Sequence, residues 1–201
     1  LLVVAWSALG FASGSVPWAV WLGRVFAHAD IREYGDGNPG TANAWKAGGW
    51  RVGTAVALLD IGKGAAPVLL AATLSGTGNL GLIPIGLAPI LGHAYSPMLR
   101  FRGGKANAVS IGVWAALTAG AALPILAVSL AIAYASQRTD GWTVIFGGLG
   151  VLALLLARYP EPHLLLLWAG NMGILVLKLR DDLRLGVVPR PWLLRALGRA
   201  H

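Results

Sequence analysis

Three stretches of the chain combine residue types that could do chemistry. The first is Gly35-Asp36-Gly37-Asn38-Pro39-Gly40-Thr41-Ala42-Asn43, with Lys46 and Arg51 close behind. Glycines around a proline form a tight turn that can present backbone N–H groups to an anion, and the cations that follow suit the same ligand. Read without those cations, the stretch is equally a plain solvent loop. The second runs from Gly92-His93 to Phe101-Arg102-Gly103-Gly104-Lys105. Two glycines and a lysine at the start of a helix place backbone donors beside a cation, the arrangement by which helix N-termini hold phosphate. The glycine spacing is not that of a P-loop, and no Ser or Thr follows the lysine. A basic anchor on the membrane face is the competing reading. His93 alone has no second histidine or carboxylate at metal-ligand spacing, so no metal site is expected. The third is Asp60 with Lys63, which share one helix face at i and i+3 inside an apolar run. Ionisable groups in a membrane helix serve a site or a specific packing contact. This pair either orients the first polar loop or touches substrate. There is no cysteine nucleophile, and no Ser/His/Asp set stands out. The chemistry expected is therefore positioning and charge stabilisation.

These segments need a frame, and the composition says which. Of 201 residues, 56% are apolar and 12% charged, against about 25% charged in a soluble domain. Mean hydropathy is +0.67, which excludes disorder and a water-facing globule. The 28 glycines suit close helix packing in a bilayer. The net charge of +8 would suggest nucleic acid in a soluble protein. In an apolar chain it points to cytoplasmic loops, membrane lipids and phosphate-bearing ligands, with no nucleic-acid partner.

A crossing takes about 20 apolar residues. The spans predicted are Leu1–Leu22, Val52–Ala72, Asn79–Tyr95, two from Ala108–Ser136, then Gly141–Ala157 and His163–Leu177. Leu1–Leu22 has no basic leader or cleavage site and is expected to stay as a helix. Ala108–Ser136 is too long for one crossing, and Gly120 and Pro124 near its middle predict a turn. Basic residues settle the count. The Arg24–Arg51 loop, the Arg100–Lys105 loop and the tail from Lys178 fall on one side only if there are seven helices, with the uncharged Leu74–Gly78 loop opposite. The fold expected is an all-α integral membrane bundle of seven transmembrane helices, N-terminus out and C-terminus in. It forms a single membrane domain over residues 1–201, with a basic cytoplasmic tail at about 178–201.

Taken together, Gly14-Ser15-Val16-Pro17, Asp30-Ile31-Arg32-Glu33, Gly37-Asn38-Pro39-Gly40 with Asn43, Asp60 with Lys63-Gly64, and Gly92-His93 with Phe101-Arg102-Gly103-Gly104-Lys105 resemble the bacterial acyl-phosphate:glycerol-3-phosphate acyltransferases. The motifs are co-linear from about Leu9 to Gly112, and the resemblance continues more faintly to the tail. It implies a seven-helix enzyme of the bacterial inner (cytoplasmic) membrane whose active face is cytoplasmic. The implied reaction moves a fatty acyl group from acyl phosphate to the 1-hydroxyl of glycerol 3-phosphate in phospholipid synthesis, without metal or cofactor. The resemblance also implies that Asp36, Asn43, His93 and Lys105 are catalytic, and that Gly37, Asn38, Gly40, Lys46, Arg102, Gly103 and Gly104 hold substrate and phosphate.

The chain departs from the family pattern at several of these places. Asp36 stands where the family has serine, Ala42 where it has threonine, and Lys46 where it has arginine. Ala106-Asn107-Ala108-Val109 replaces Gly-Val-Ala-Thr. Leu179-Arg180-Asp181-Asp182-Leu183 aligns with a His-Arg-Glu-Asn-Ile segment, and Asn171 is an alternative match for its asparagine. A carboxylate at Asp36 opposes phosphate unless a cation neutralises it, and Lys46 or Arg32 is the partner expected. In the other reading Asp36 selects a different acceptor, or the chain only binds lipid or a partner.

Overall fold

The computed structural model describes residues 1–196. The last five residues, which include Arg199 of the expected basic tail, lie outside the described residues. Among the described residues nine α-helices follow in order: α1 Leu2–Ser15, α2 Trp18–Phe26, α3 Thr41–Leu74, α4 Leu82–Ala94, α5 Asn107–Leu117, α6 Ala122–Ser136, α7 Asp140–Arg158, α8 Pro162–Arg184 and α9 Pro191–Ala196. Among the described residues the sole strand-like feature is an isolated bridge between Gln137 and Pro189. Five segments among the described residues are long and apolar enough to cross a membrane: Leu2–Phe26, Thr41–Leu74, Asn79–Leu99, Asp140–Arg158 and Pro162–Arg184. Helices α5 and α6 are apolar but shorter, at 11 and 15 residues.

The differences from the expected spans have physical causes. The first span is not one helix. Pro17 has no N–H and disfavours helical backbone at the residue before it, so α1 ends at Ser15, Val16 is extended and α2 restarts at Trp18. The polar Arg24–Arg51 stretch is not all loop, because α3 begins at Thr41 and runs for 34 residues through the motif residue Asn43. Gly49, at φ +69°, kinks it, a conformation open to glycine at no steric cost. The turn predicted in Ala108–Ser136 is present, with α5 ending at Leu117, α6 starting at Ala122 and Gly120 at φ +87° between them. The last long helix passes its predicted end at Leu177 and carries Lys178, Arg180, Asp181 and Asp182 to Arg184.

The chain divides into two compact units, Leu1–Gly120 and Ala121–His201. In the first, glycines let backbones meet. Gly14 lies against the Pro89 carbonyl and Gly92 against that of Phe11, which seats α1 on α4. Gly64 meets the Val109 carbonyl and Gly112 that of Ile61, which seats α5 on α3. Ala19, Val20, Ile31, Ala44, Val52 and Val56 form an apolar core under the first polar loop. In the second unit, Gly147 accepts Leu130 of α6, and Gly148 accepts Met172 of α8. Trp168 donates its indole N–H to the Gly148 carbonyl at 2.8 Å, and Trp142 donates to Leu183 at 3.2 Å. Arg190 and Trp192 donate to the carbonyls of Tyr134 and Ala135, so the segment leading into α9 is tied to the end of α6.

A Cβ at Gly112 would overlap the Ile61 carbonyl, which is backbone and cannot swing away. Gly112→Ala is expected to destabilise the detergent-solubilised protein by about 1–3 kcal/mol, the range for overpacking a tight contact. Gly62→Ala, where a Cβ meets nothing within 4 Å, should leave the thermal midpoint within about one degree or raise it slightly.

Candidate active site

The break at Val16-Pro17 leaves carbonyls of α1 without helical partners. Lys63 of α3 donates its ammonium to the Val16 carbonyl at 2.7 Å and pairs with Asp60 at 2.7 Å. Asp60 and Lys63 are 2% and 6% exposed, so each charge depends on the other. Ser13 donates to the Lys63 carbonyl at 2.9 Å, and Ser96 donates to the Ser15 carbonyl at 2.6 Å. His93, in the last turn of α4, is buried with Nδ1 4.0 Å from the Asp60 carboxylate. The pair therefore ties α1, α3 and α4 together at one point.

The α4–α5 connection is built on this brace. Gly104 donates its N–H to the His93 carbonyl at 3.1 Å. A Cβ at Gly104 would strike the His93 ring, and one at Gly103 would strike its carbonyl. The motif glycines thus let the loop lie flat on His93 and fix where Lys105 emerges. Arg100, Phe101 and Ala106 all adopt positive φ, at 54°, 62° and 61°, a conformation costly for side chains other than glycine. Arg102 is exposed.

Lys105 reaches across to the first motif and pairs with Asp36 at 2.7 Å. This corrects the expected partner of Asp36. Arg32 is bound instead to Asp30, Nε to Oδ1 at 2.9 Å, and the same carboxylate takes Arg24 at 3.4 Å. Lys46 sits over Gly35, with Nζ 2.6 Å from where a Cβ on that glycine would be. The other oxygen of Asp36, Oδ1, accepts from the Asn38 N–H at 3.1 Å and from Asn43 Nδ2 at 2.8 Å. Partial burial opposes its ionisation. The Lys105, Asn38 and Asn43 hydrogen bonds outweigh that and hold the carboxyl down at about 2, so it is a carboxylate at neutral pH and a poor base.

The glycine turn is closed on itself. Gly37 N–H donates to Tyr34, Asn38 N–H to Asp36 and Gly40 N–H to the Asn38 carbonyl. Asn43, 2% exposed, also donates to the Asn38 carbonyl at 3.0 Å. The structure brings Asp36, Asn38, Asn43 and Lys105 into one hydrogen-bonded cluster, with Lys46 at its edge and His93 beneath the loop that carries Lys105. The segment aligned with the third motif lies in α8 of the second unit, where Leu179 is buried and Arg180 and Asp181 are exposed. Asn171 is buried in the same helix.

The residue pattern assigned no contact to Ser13, to the Val16 carbonyl or to Ser96. The signal for Val16 was present in Pro17, since a proline inside an apolar span frees the carbonyls before it. Thr41 Oγ1, Asn43 Oδ1 and Asn107 Oδ1 are buried without a hydrogen-bond partner among the described residues. Nothing in the residue pattern announced that.

The chain is thus a multi-pass membrane protein in which a lysine and amide donors gather around one carboxylate. The glycerol-3-phosphate acyltransferase family model matches residues 4–184. The chain is 37% identical over 175 residues to the glycerol-3-phosphate acyltransferase of Rubrobacter xylanophilus, covering 87% of each. It is 35% identical over 184 residues to that of Myxococcus xanthus, covering 88% of this chain and 96% of the relative. Its fold matches the crystal structure of PlsY, an integral membrane glycerol 3-phosphate acyltransferase, in its glycerol 3-phosphate form. The TM-score is 0.80 at 24% identity, over 99% of this chain and 94% of the other. The chain belongs to the glycerol-3-phosphate acyltransferase family.

If the buried pair is the brace, Lys63→Met should cost about 3–5 kcal/mol by stranding Asp60. The double variant Asp60→Leu with Lys63→Met removes both charges and should recover most of that loss in thermal unfolding of the solubilised protein. A double variant as unstable as the single one would contradict the pairing.

Proposed function

We propose that this chain transfers a fatty acyl group from acyl phosphate to the 1-hydroxyl of glycerol 3-phosphate, forming lysophosphatidic acid and inorganic phosphate for phospholipid synthesis. The observation that carries this reading is the Lys105–Asp36–Asn43 cluster, set in the motifs that the chain shares with its family. Lys105 binds a phosphate oxygen. Arg102 and Lys46 add positive charge around it, the Gly37–Gly40 turn lets a phosphate approach the backbone, and Gly103-Gly104, seated on His93, hold Lys105 in place.

In the reaction the glycerol hydroxyl oxygen attacks the acyl carbonyl carbon. The new ester C–O bond forms, the bond from that carbon to the phosphate oxygen breaks, and phosphate leaves with the electron pair. The hydroxyl proton passes to phosphate or solvent. A phosphate leaving group needs little acid assistance, so the residues contribute chiefly by holding two anionic substrates together and offsetting their charge. Asn43 keeps the first motif closed, and His93 supports the Lys105 loop from below.

The chain is read as crossing a bacterial inner membrane seven times, with α1 and α2 as one crossing and α5 and α6 as two short ones. At roughly 1.5 Å per residue, the 11 residues of α5 span about 16 Å of a core about 30 Å thick. Neighbouring helices and local thinning must take up the rest. The N-terminus faces out, and both motif loops and the basic tail face the cytoplasm. This orientation follows from the basic residues in the first and third loops and the absence of charge in Leu74–Gly78.

Purified protein given acyl phosphate and glycerol 3-phosphate should release phosphate and form lysophosphatidic acid. Lys105→Met, which keeps the stem and removes the charge, should lower kcat/KM about 10- to 150-fold, the worth of one charge-assisted hydrogen bond at about 1.5–3 kcal/mol. Unchanged kinetics would assign Lys105 to anchoring. For topology, single cysteines in place of Glu33, Asn79 and Arg184 should label from opposite sides, Glu33 and Arg184 together and Asn79 apart. Labelling of Glu33 and Asn79 positions from one side would overturn the seven-crossing reading.

A further inference from the structure

The donors that a phosphate needs in this cluster already have an anion. Lys105 Nζ is 2.7 Å from Asp36 Oδ2, while the Asn38 N–H and Asn43 Nδ2 are 3.1 and 2.8 Å from Oδ1. These donors come from three places in the chain: the glycine turn, the first turn of α3, and the loop before α5. They converge on one side chain. We propose that the Asp36 carboxylate is a built-in competitor that occupies the phosphate position on Lys105, and that a substrate phosphate binds by displacing it. This rests on the acyltransferase reading for the identity of the phosphate, but the competition itself does not.

The geometry makes the exchange feasible. Asp36 has half of its side chain exposed and Lys105 about a quarter, so an anion from solvent can reach the contact. The two oxygens of the carboxylate have different tethers. Oδ1 is held within its own motif by Asn38 and Asn43, and Oδ2 faces Lys105. Release of Lys105 therefore leaves the turn intact and frees only the cation. The flanking Gly35 and Gly37 are at φ +57° and +73°; Asn43 and Lys46 pack on the Gly35 side, while the Gly37 side meets no side chain. Lys46 over Gly35 supplies a second charge to the incoming phosphate. A dianion carries more charge than the carboxylate it replaces and wins when its concentration is sufficient. A tethered competitor acts at an effective concentration in the millimolar range or above, which raises the substrate level needed for half-saturation. Asp36 thereby sets the chain's affinity threshold for phosphate-bearing substrate.

The test uses the full-length protein in detergent, with inorganic phosphate as probe in calorimetric titration and with both substrates in steady-state kinetics. Asp36→Ser removes the carboxylate. Asp36→Asn keeps an acceptor for Asn38 and Asn43, and so protects the fold. Both variants should bind inorganic phosphate about ten-fold more tightly than the parent, equivalent to about 1.4 kcal/mol, and the gain should vanish when Lys105→Met is added. KM should fall for the substrate whose phosphate takes the position, acyl phosphate or glycerol 3-phosphate, with kcat changing less. Phosphate binding unchanged or weakened in both variants, or tightened equally without Lys105, overturns the proposal. Tighter phosphate binding in a protein with no turnover keeps the competition and removes the acyltransferase reading. Turnover in the parent with no tightening in either variant does the reverse.

Discussion

A lysine ammonium inside an apolar helix has to be paid for, and here the payment organises the first half of the molecule. Lys63 is satisfied by Asp60 on its own helix and by the Val16 carbonyl, which a break in the preceding span has exposed. The Val16 carbonyl also accepts the Trp18 N–H at 3.1 Å, whereas either charge would be stranded without the other. Together they fix α1 and α3, while Ser96 on the Ser15 carbonyl and His93 beside Asp60 bring the end of α4 to the same place. The two glycines after Arg102 then lie on His93, and the position of Lys105 follows. The Lys105–Asp36 cluster is thus held by a chain of contacts that begins at the buried Asp60–Lys63 pair.

The helices read easily from sequence because apolar length is a strong signal in a chain with so few charges. Asp140–Arg158 and the turn at Gly120 lie close to where composition and glycine placed them. The break at Pro17 and the early start of α3 were less legible. Apolar periodicity does not register a proline that costs only one turn, and the polar residues from Thr41 to Arg51 look like a loop until their hydrogen bonds are seen. Among site residues, motif spacing singled out Asp36, Asn43 and Lys105. It could not say that Lys105, distant in the chain, would reach Asp36, while the nearer Arg32 is already committed to Asp30. Pairing of that kind depends on how loops from different helices meet, which residue order does not encode locally.

The departure at Asp36 gains a physical meaning from this arrangement. A carboxylate in a turn meant for anions would be a defect if it were isolated. Hydrogen-bonded by Asn38, Asn43 and Lys105, it is instead a stable anion at neutral pH. Asn38 and Asn43 hold Oδ1 in the resting protein and in the proposed complex alike, and only Lys105 changes partner. The hydrogen bonds of the cluster are therefore made in the absence of substrate.

The most direct measurement is a crystal structure of this protein with glycerol 3-phosphate or inorganic phosphate bound. A phosphate oxygen within hydrogen-bond distance of Lys105 Nζ is expected, with Asp36 Oδ2 moved off the lysine and Oδ1 still on Asn43. A structure in which the Asp36–Lys105 contact persists while phosphate binds elsewhere would contradict the account.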